Sequence, residues 1–183
     1  ALMRTPRDPV PDVPDLRLFV TDTLGNPYVE EEALLQSGPI AASRRAANKV
    51  KREERITVVI GNPPYKVDAA GRGGWIEAGS KGRPSALDLW VPPRSWGVGA
   101  SAKHLKNLYV YFWRWATWKV FGSNHHATTG EPEIDRGGLI CFITASGFLN
   151  GPGFQKMRES LRRDCSDIWV IDCSPDGHQP DIP

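Results

Sequence analysis

Cysteine is scarce: Cys141, Cys165 and Cys173 are the only three, and no C-x-x-C pair occurs among them. Neither a disulfide framework nor a zinc cluster with His104, His125, His126 or His178 fits that spacing. No metal is therefore expected, and a reducing, cytoplasmic setting is. No apolar run is long enough to span a bilayer and no signal peptide is recognisable, so no membrane partner is expected. An excess of charge of one sign is missing too, since 23 Lys and Arg stand against 21 Asp and Glu, a net charge of +2. Such a balance is compatible with a nucleic-acid partner without demanding one. At 183 residues the chain fits one domain with a sizeable core. It opens on Ala1 and stops at Asp181-Ile182-Pro183 without a recognisable terminal element, which we read as part of a longer protein.

What is present is centred on Val58-Val59-Ile60-Gly61-Asn62-Pro63-Pro64-Tyr65. The β-branched run favours a buried strand, and Pro63 and Pro64 end it by removing backbone donors and fixing φ. Pro64 pushes Pro63 into an extended conformation. The Pro63 carbonyl is thereby expected to point outward beside the Asn62 side chain, at the strand end where open α/β sheets bind ligands. A planar amino group offers two N–H donors, and the Asn62 side-chain oxygen with the Pro63 carbonyl supplies two acceptors. Tyr65 adds a flat face for a ring, a contact worth roughly 1 to 3 kcal/mol for a nucleobase. These residues describe a pocket for an aminated aromatic base. A strand-ending turn or a polyproline ligand is the plainer alternative.

Asn62-Pro63-Pro64-Tyr65 after a hydrophobic strand resembles the catalytic motif of S-adenosylmethionine-dependent amino-group methyltransferases, above all DNA adenine-N6 methylases. Asn107 to Phe112, Gly138 to Thr144, Phe154 to Arg158 and Ile168 to Asp172 resemble the following helix and strands of those enzymes in the same order. The likeness covers residues 16 to 183, is strongest from Ile56 onward, and is closest to the large methylases of bacterial restriction-modification systems. It implies an α/β, Rossmann-like methyltransferase fold with a mostly parallel sheet. It further implies that an adenine flipped out of duplex DNA stacks on Tyr65, while Asn62 and the Pro63 carbonyl hold its amino group for transfer. An acidic residue at the end of an earlier strand accepts a hydrogen bond from the cofactor's adenine in that family, and Asp22 matches its position. Otherwise Asp22 is a turn or cap residue. A second aromatic usually closes over the base after the strand ending at Asp172, and there the chain offers only His178.

Taken in order, residues 1 to 15 carry Pro6, Pro9, Pro11 and Pro14 among charges and read as a linker or arm. Leu16 to Val20 alternates into an expected strand, with Gly25-Asn26-Pro27 as a turn. Ala41 to Glu54 reads as a helix whose basic residues form a solvated face. Residues 66 to 102, rich in glycine and proline, read as an irregular insert without a long element. There Trp75, Trp90 and Trp96 are expected chiefly to pin the insert to the core, and less so to contact a base. His104 to Phe121 is an aromatic-rich helix packed on the sheet. The polar stretch from 122 to 136, with His125 and His126, is a loop. Gly138 to Thr144 is a buried strand, Phe154 to Arg163 a helix with Arg158, Arg162 and Arg163 outward, and Ile168 to Asp172 the last strand. The alternation predicts a parallel sheet.

Enzymes of the resembled family hold their cofactor with a glycine-rich loop after the first strand, and none is visible upstream of Leu16. The chain from 16 to 183 is therefore expected to be the catalytic half of a methyltransferase domain lacking its first strands. An upstream segment or chain would carry the cofactor loop, and a separate domain the target recognition. The same four residues would also serve methylation of a protein glutamine or an RNA amino group. A catalytically inactive DNA-binding or scaffold fragment is the reading from another class.

Overall fold

The computed structural model describes residues 16–28, 38–122 and 137–173. The expected arm at 1–15, the His125-His126 loop and His178 lie outside the described residues.

Among the described residues the architecture is mixed helix and strand around a small parallel sheet, in keeping with an α/β fold. In chain order come α1 (Pro39–Glu53), β1 (Val58–Gly61), α2 (Gly74–Ala78), α3 (Leu108–Phe121), β2 (Leu139–Phe142) and α4 (Gln155–Asp164). The two strands pair in parallel with Val58 opposite Leu139 and Gly61 opposite Phe142. Leu139 N donates to Thr57 O at 2.8 Å and Ile143 N to Gly61 O at 3.1 Å, which brackets the ladder at both ends. Gly138 is what lets β2 start so close to α3. A Cβ there would fall 2.3 Å from Val120 Cγ1 and 2.5 Å from the Thr57 carbonyl.

The core lies on one side of this sheet. Helix α3 runs against both strands, and its residues Tyr109, Val110, Tyr111, Ala116 and Val120 are buried. It starts after Asn107 and ends on Gly122, whose φ of 66° is the left-handed helix stop that suits glycine. The single helix expected over His104 to Phe121 is thus divided, with a 3₁₀ helix at Gly99–Lys106 leading to α3. Buried Arg114 donates from Nε to the Ala86 carbonyl at 2.7 Å and lies over the Trp90 ring at 5.6 Å.

The insert has no long element. It holds α2 and 3₁₀ helices at Ala86–Trp90, Arg94–Trp96 and Gly99–Lys106. Trp75 and Trp90 are buried as expected, whereas Trp96 is only half-buried. The ring of Trp75 meets Trp118 edge-on at 4.7 Å and Tyr28 at 5.9 Å, an aromatic cluster that anchors the insert by shape rather than by periodicity. Gly74 carries φ 53°, and a Cβ on it would fall 2.0 Å from the Leu24 carbonyl, so a glycine is required where insert and turn touch.

Two expected strands do not form. Leu16 to Val20 and Ile168 to Asp172 belong to no sheet. Their apolar side chains are exposed, with Leu18 at 80% and Trp169 at 88%. In the first segment Val20 N donates to Ser43 Oγ at 2.6 Å rather than to a neighbouring strand. An alternating sequence becomes a strand only when an adjacent edge accepts its backbone groups, and no described edge does so here. The buried strand expected over Gly138 to Thr144 is likewise half right. One face of each strand packs inward, while Val58, Ile60, Leu139, Cys141 and Ile143 are exposed. Arg158 is also not simply outward, because its guanidinium donates to the Phe148 and Gly151 carbonyls at 2.8 Å each.

Candidate functional site

The turn Asn62-Pro63-Pro64-Tyr65 begins directly where β1 ends, at the carboxyl end of the parallel pair. Two prolines in succession explain why the ladder stops at Gly61, since neither can donate to a neighbour. Pro63 is buried, Asn62 and Pro64 are exposed and Tyr65 is half-buried. The Tyr65 hydroxyl donates to Asn62 Oδ1 at 2.5 Å, so the four residues form a closed loop that sets the orientation of the amide. The amide oxygen keeps a second lone pair for another donor. Among the described residues no donor meets the Pro63 carbonyl. Asn62, Pro63 and Tyr65 are therefore brought together, the Asn62 oxygen accepting from Tyr65 and keeping one lone pair, the Pro63 carbonyl without a donor among the described residues.

The far side of the turn is held as firmly as the near side. Leu108 N donates to the Lys66 carbonyl at 2.9 Å, and Ala69 N to the Lys106 carbonyl at 2.7 Å. Asp68, at φ 50°, donates its N–H to Asn107 Oδ1 at 3.2 Å. This strip docks the exit of the turn on the start of α3, so the candidate site is suspended between a strand and a helix terminus. Such two-ended support is what a positioning site needs. Nothing in the residue pattern announces the pairing of 66–69 with 106–108, because its bonds are main-chain ones. Asn107 is the exception, a buried side-chain amide whose Oδ1 accepts from Asp68 N.

Asp22 lies on a different structure from the one expected. No strand precedes it among the described residues. Its Oδ1 accepts from Leu24 N at 3.0 Å and its carbonyl accepts from Gly25 N at 3.1 Å, which makes it a turn residue. The Lys51 ammonium donates to the same carbonyl at 2.6 Å, and Arg52 donates to the Pro27 carbonyl at 2.5 Å. The last turn of α1 thus grips this turn, and Lys51 is buried rather than part of a solvated face. Asp22 itself is exposed, with one carboxylate oxygen committed to the turn.

The donor side of a methyl transfer can be tested on these residues. A nucleoside cofactor needs acceptors for its ribose hydroxyls and a glycine turn against its chain. The described residues supply the remaining Asp22 oxygen and no glycine turn between a strand and a helix, which does not amount to a site for S-adenosylmethionine. What the geometry offers is two carbonyl oxygens and an aromatic ring on a turn held at both ends.

No family model, curated protein or solved structure matches this chain. No helix of the described residues is long and apolar enough to cross a membrane.

Proposed function

We propose that this chain carries the acceptor half of an S-adenosylmethionine-dependent DNA adenine-N6 methyltransferase, of the kind found in restriction-modification systems. The observation that carries the reading is the Asn62–Tyr65 turn at the carboxyl end of β1, with its amide oriented by Tyr65 and no donor on the Pro63 carbonyl among the described residues. In this reading the adenine ring stacks on Tyr65, and its amino group donates one N–H to Asn62 Oδ1 and one to the Pro63 carbonyl. Two acceptors in the plane of the base leave the nitrogen lone pair above that plane and aim it, so positioning and electrostatics do the work. The methyl group is the cofactor's contribution. No step on the donor side is assigned to the described residues, and an additional segment or chain would hold the cofactor within a Rossmann-like, mostly parallel sheet. The bare segments 16–20 and 168–172 support that view, because a sheet short of neighbouring strands would expose such stretches.

Oligo-dA and oligo-dT of equal length separate this reading from a purely structural turn. Fluorescence anisotropy is expected to show about tenfold tighter binding of oligo-dA, the worth of one good stack with its hydrogen bonds. Asn62→Ala is expected to abolish the preference without changing the thermal melting curve. Equal affinity for the two strands in the unaltered chain would sink the proposal. Transfer of labelled methyl from S-adenosylmethionine to adenine, lost in Asn62→Ala, would extend it to the whole reaction.

A further inference from the structure

Charge is segregated along the chain in a way the overall balance hides. Residues 66 to 106 hold seven Lys and Arg against three Asp and Glu, whereas the whole chain holds 23 against 21. Structure brings part of this excess to one place. Lys66 follows Tyr65 directly, and its carbonyl is bonded to Leu108 N at 2.9 Å, so it lies beside the junction that follows Lys106. Lys103 and Lys106 are three residues apart on the 3₁₀ helix Gly99–Lys106, where residues at that spacing stand one above the other. Arg72 sits on the turn whose Gly71 and Gly73 N–H groups donate to Glu77 Oε2 at 2.8 and 3.1 Å. The other Glu77 oxygen lies 3.9 Å from Lys106 Nζ, which ties the Arg72 turn to the same strip. Lys66, Arg72, Lys103 and Lys106 are all exposed. Glu77 is largely covered and bonded to backbone, leaving Asp68 as the one exposed carboxylate on this strip.

We infer that Lys66, Arg72, Lys103 and Lys106 form a docking surface for the phosphate backbone of the nucleic acid whose base enters the Asn62–Tyr65 turn. The inference rests on the proposed function for the identity of its ligand. Among the described residues, Lys66, Arg72 and Lys103 meet no carboxylate, so their charge is available to an outside anion. The frame is rigid, since the insert is packed by Trp75 and Trp90 and the strip is pinned to α3. Cations on such a frame fix the register of a backbone, and the reading of the base is left to the turn. A lid would need the opposite, a segment with little buried surface.

The test is anisotropy of a fluorescent DNA duplex with the full chain between about 50 and 200 mM salt. Arg72→Ala and Lys103→Ala are each expected to weaken binding several-fold and to lower the slope of log K against log salt by about 1. Arg45→Ala and Lys49→Ala on α1 are expected to leave affinity and slope unchanged, and all four variants to melt as the unaltered chain does. Binding that is absent at low salt, or insensitive to Arg72 and Lys103, overturns the inference. So does equal or tighter binding of a polyglutamate peptide of the same charge, which would make the surface one for acidic protein. The two proposals fail separately. Cation-dependent duplex binding without an oligo-dA preference sinks the methylase reading alone, and a preference with an unaltered salt slope sinks the surface alone.

Discussion

Tyr109 and Tyr111 of α3 lie in the core with almost no exposed surface, and burial holds both phenols protonated beyond the ordinary range. Tyr109 is pushed up to about 12, and Tyr111 is raised further by the neighbouring Glu77 carboxylate. A group whose pKa is raised by folding contributes stability that is complete below its unfolded value and is lost as pH rises through the folded one. For Tyr109 the window runs from 10 in the unfolded chain to about 12. Stability is therefore expected to fall as pH rises across that interval, with phenolate absorbance appearing together with loss of helix signal. Tyr109→Phe is expected to flatten the fall; an unchanged pH profile in that variant would show that the phenol is not shielded. At the same scale, Asn62, Pro63 and Tyr65 are legible in the sequence because residue type alone carries their chemistry. The 2.5 Å contact between Tyr65 and Asn62 is not, because residue type does not say how the two side chains meet.

Among the elements, α1 shows how far pattern carries and where it stops. Its alanine-rich run and Pro39 at the first turn make the helix readable. Its role as a clamp is not readable, because the partners are distant in sequence. Lys119 of α3 donates to the Val50, Lys51 and Glu54 carbonyls at 3.1, 2.7 and 2.5 Å, closing the carboxyl end of α1 with a positive charge. A cation on the open carbonyls of a helix end offsets both their lost hydrogen bonds and the helix dipole. Lys119→Met keeps the aliphatic stem and removes that cap. It is expected to cost about 1.5 to 3 kcal/mol in urea unfolding, the worth of charge-assisted bonds left unmade. A loss below about 0.5 kcal/mol would mean that water replaces the ammonium freely. The strands at 16–20 and 168–172 were expected on the same kind of pattern and did not form, since a strand, unlike a helix, cannot satisfy its own backbone.

At the scale of the whole molecule, the decisive feature among the described residues is a parallel pair of strands covered on one face. Ile60 on the bare face is 75% exposed, whereas Val110 beneath the sheet is fully buried. Two substitutions to the same residue then part company. Ile60→Lys is expected to stay within about 0.5 kcal/mol of the unaltered chain in denaturant unfolding. Val110→Lys is expected to cost more than about 3 kcal/mol, through an ammonium buried without a partner. Comparable losses at both positions would show that the outer face is covered in solution. The sequence by itself determined α1, most of α3, α4 and the strand leading to the turn, because these follow from residue type, proline geometry and spacing along a few consecutive residues. Only the tertiary structure decided which apolar stretches pair, which tryptophans are buried, and that Asp22 belongs to a turn held by Lys51. Those outcomes depend on backbone groups and surfaces that meet across tens of residues, and no local pattern specifies the neighbour.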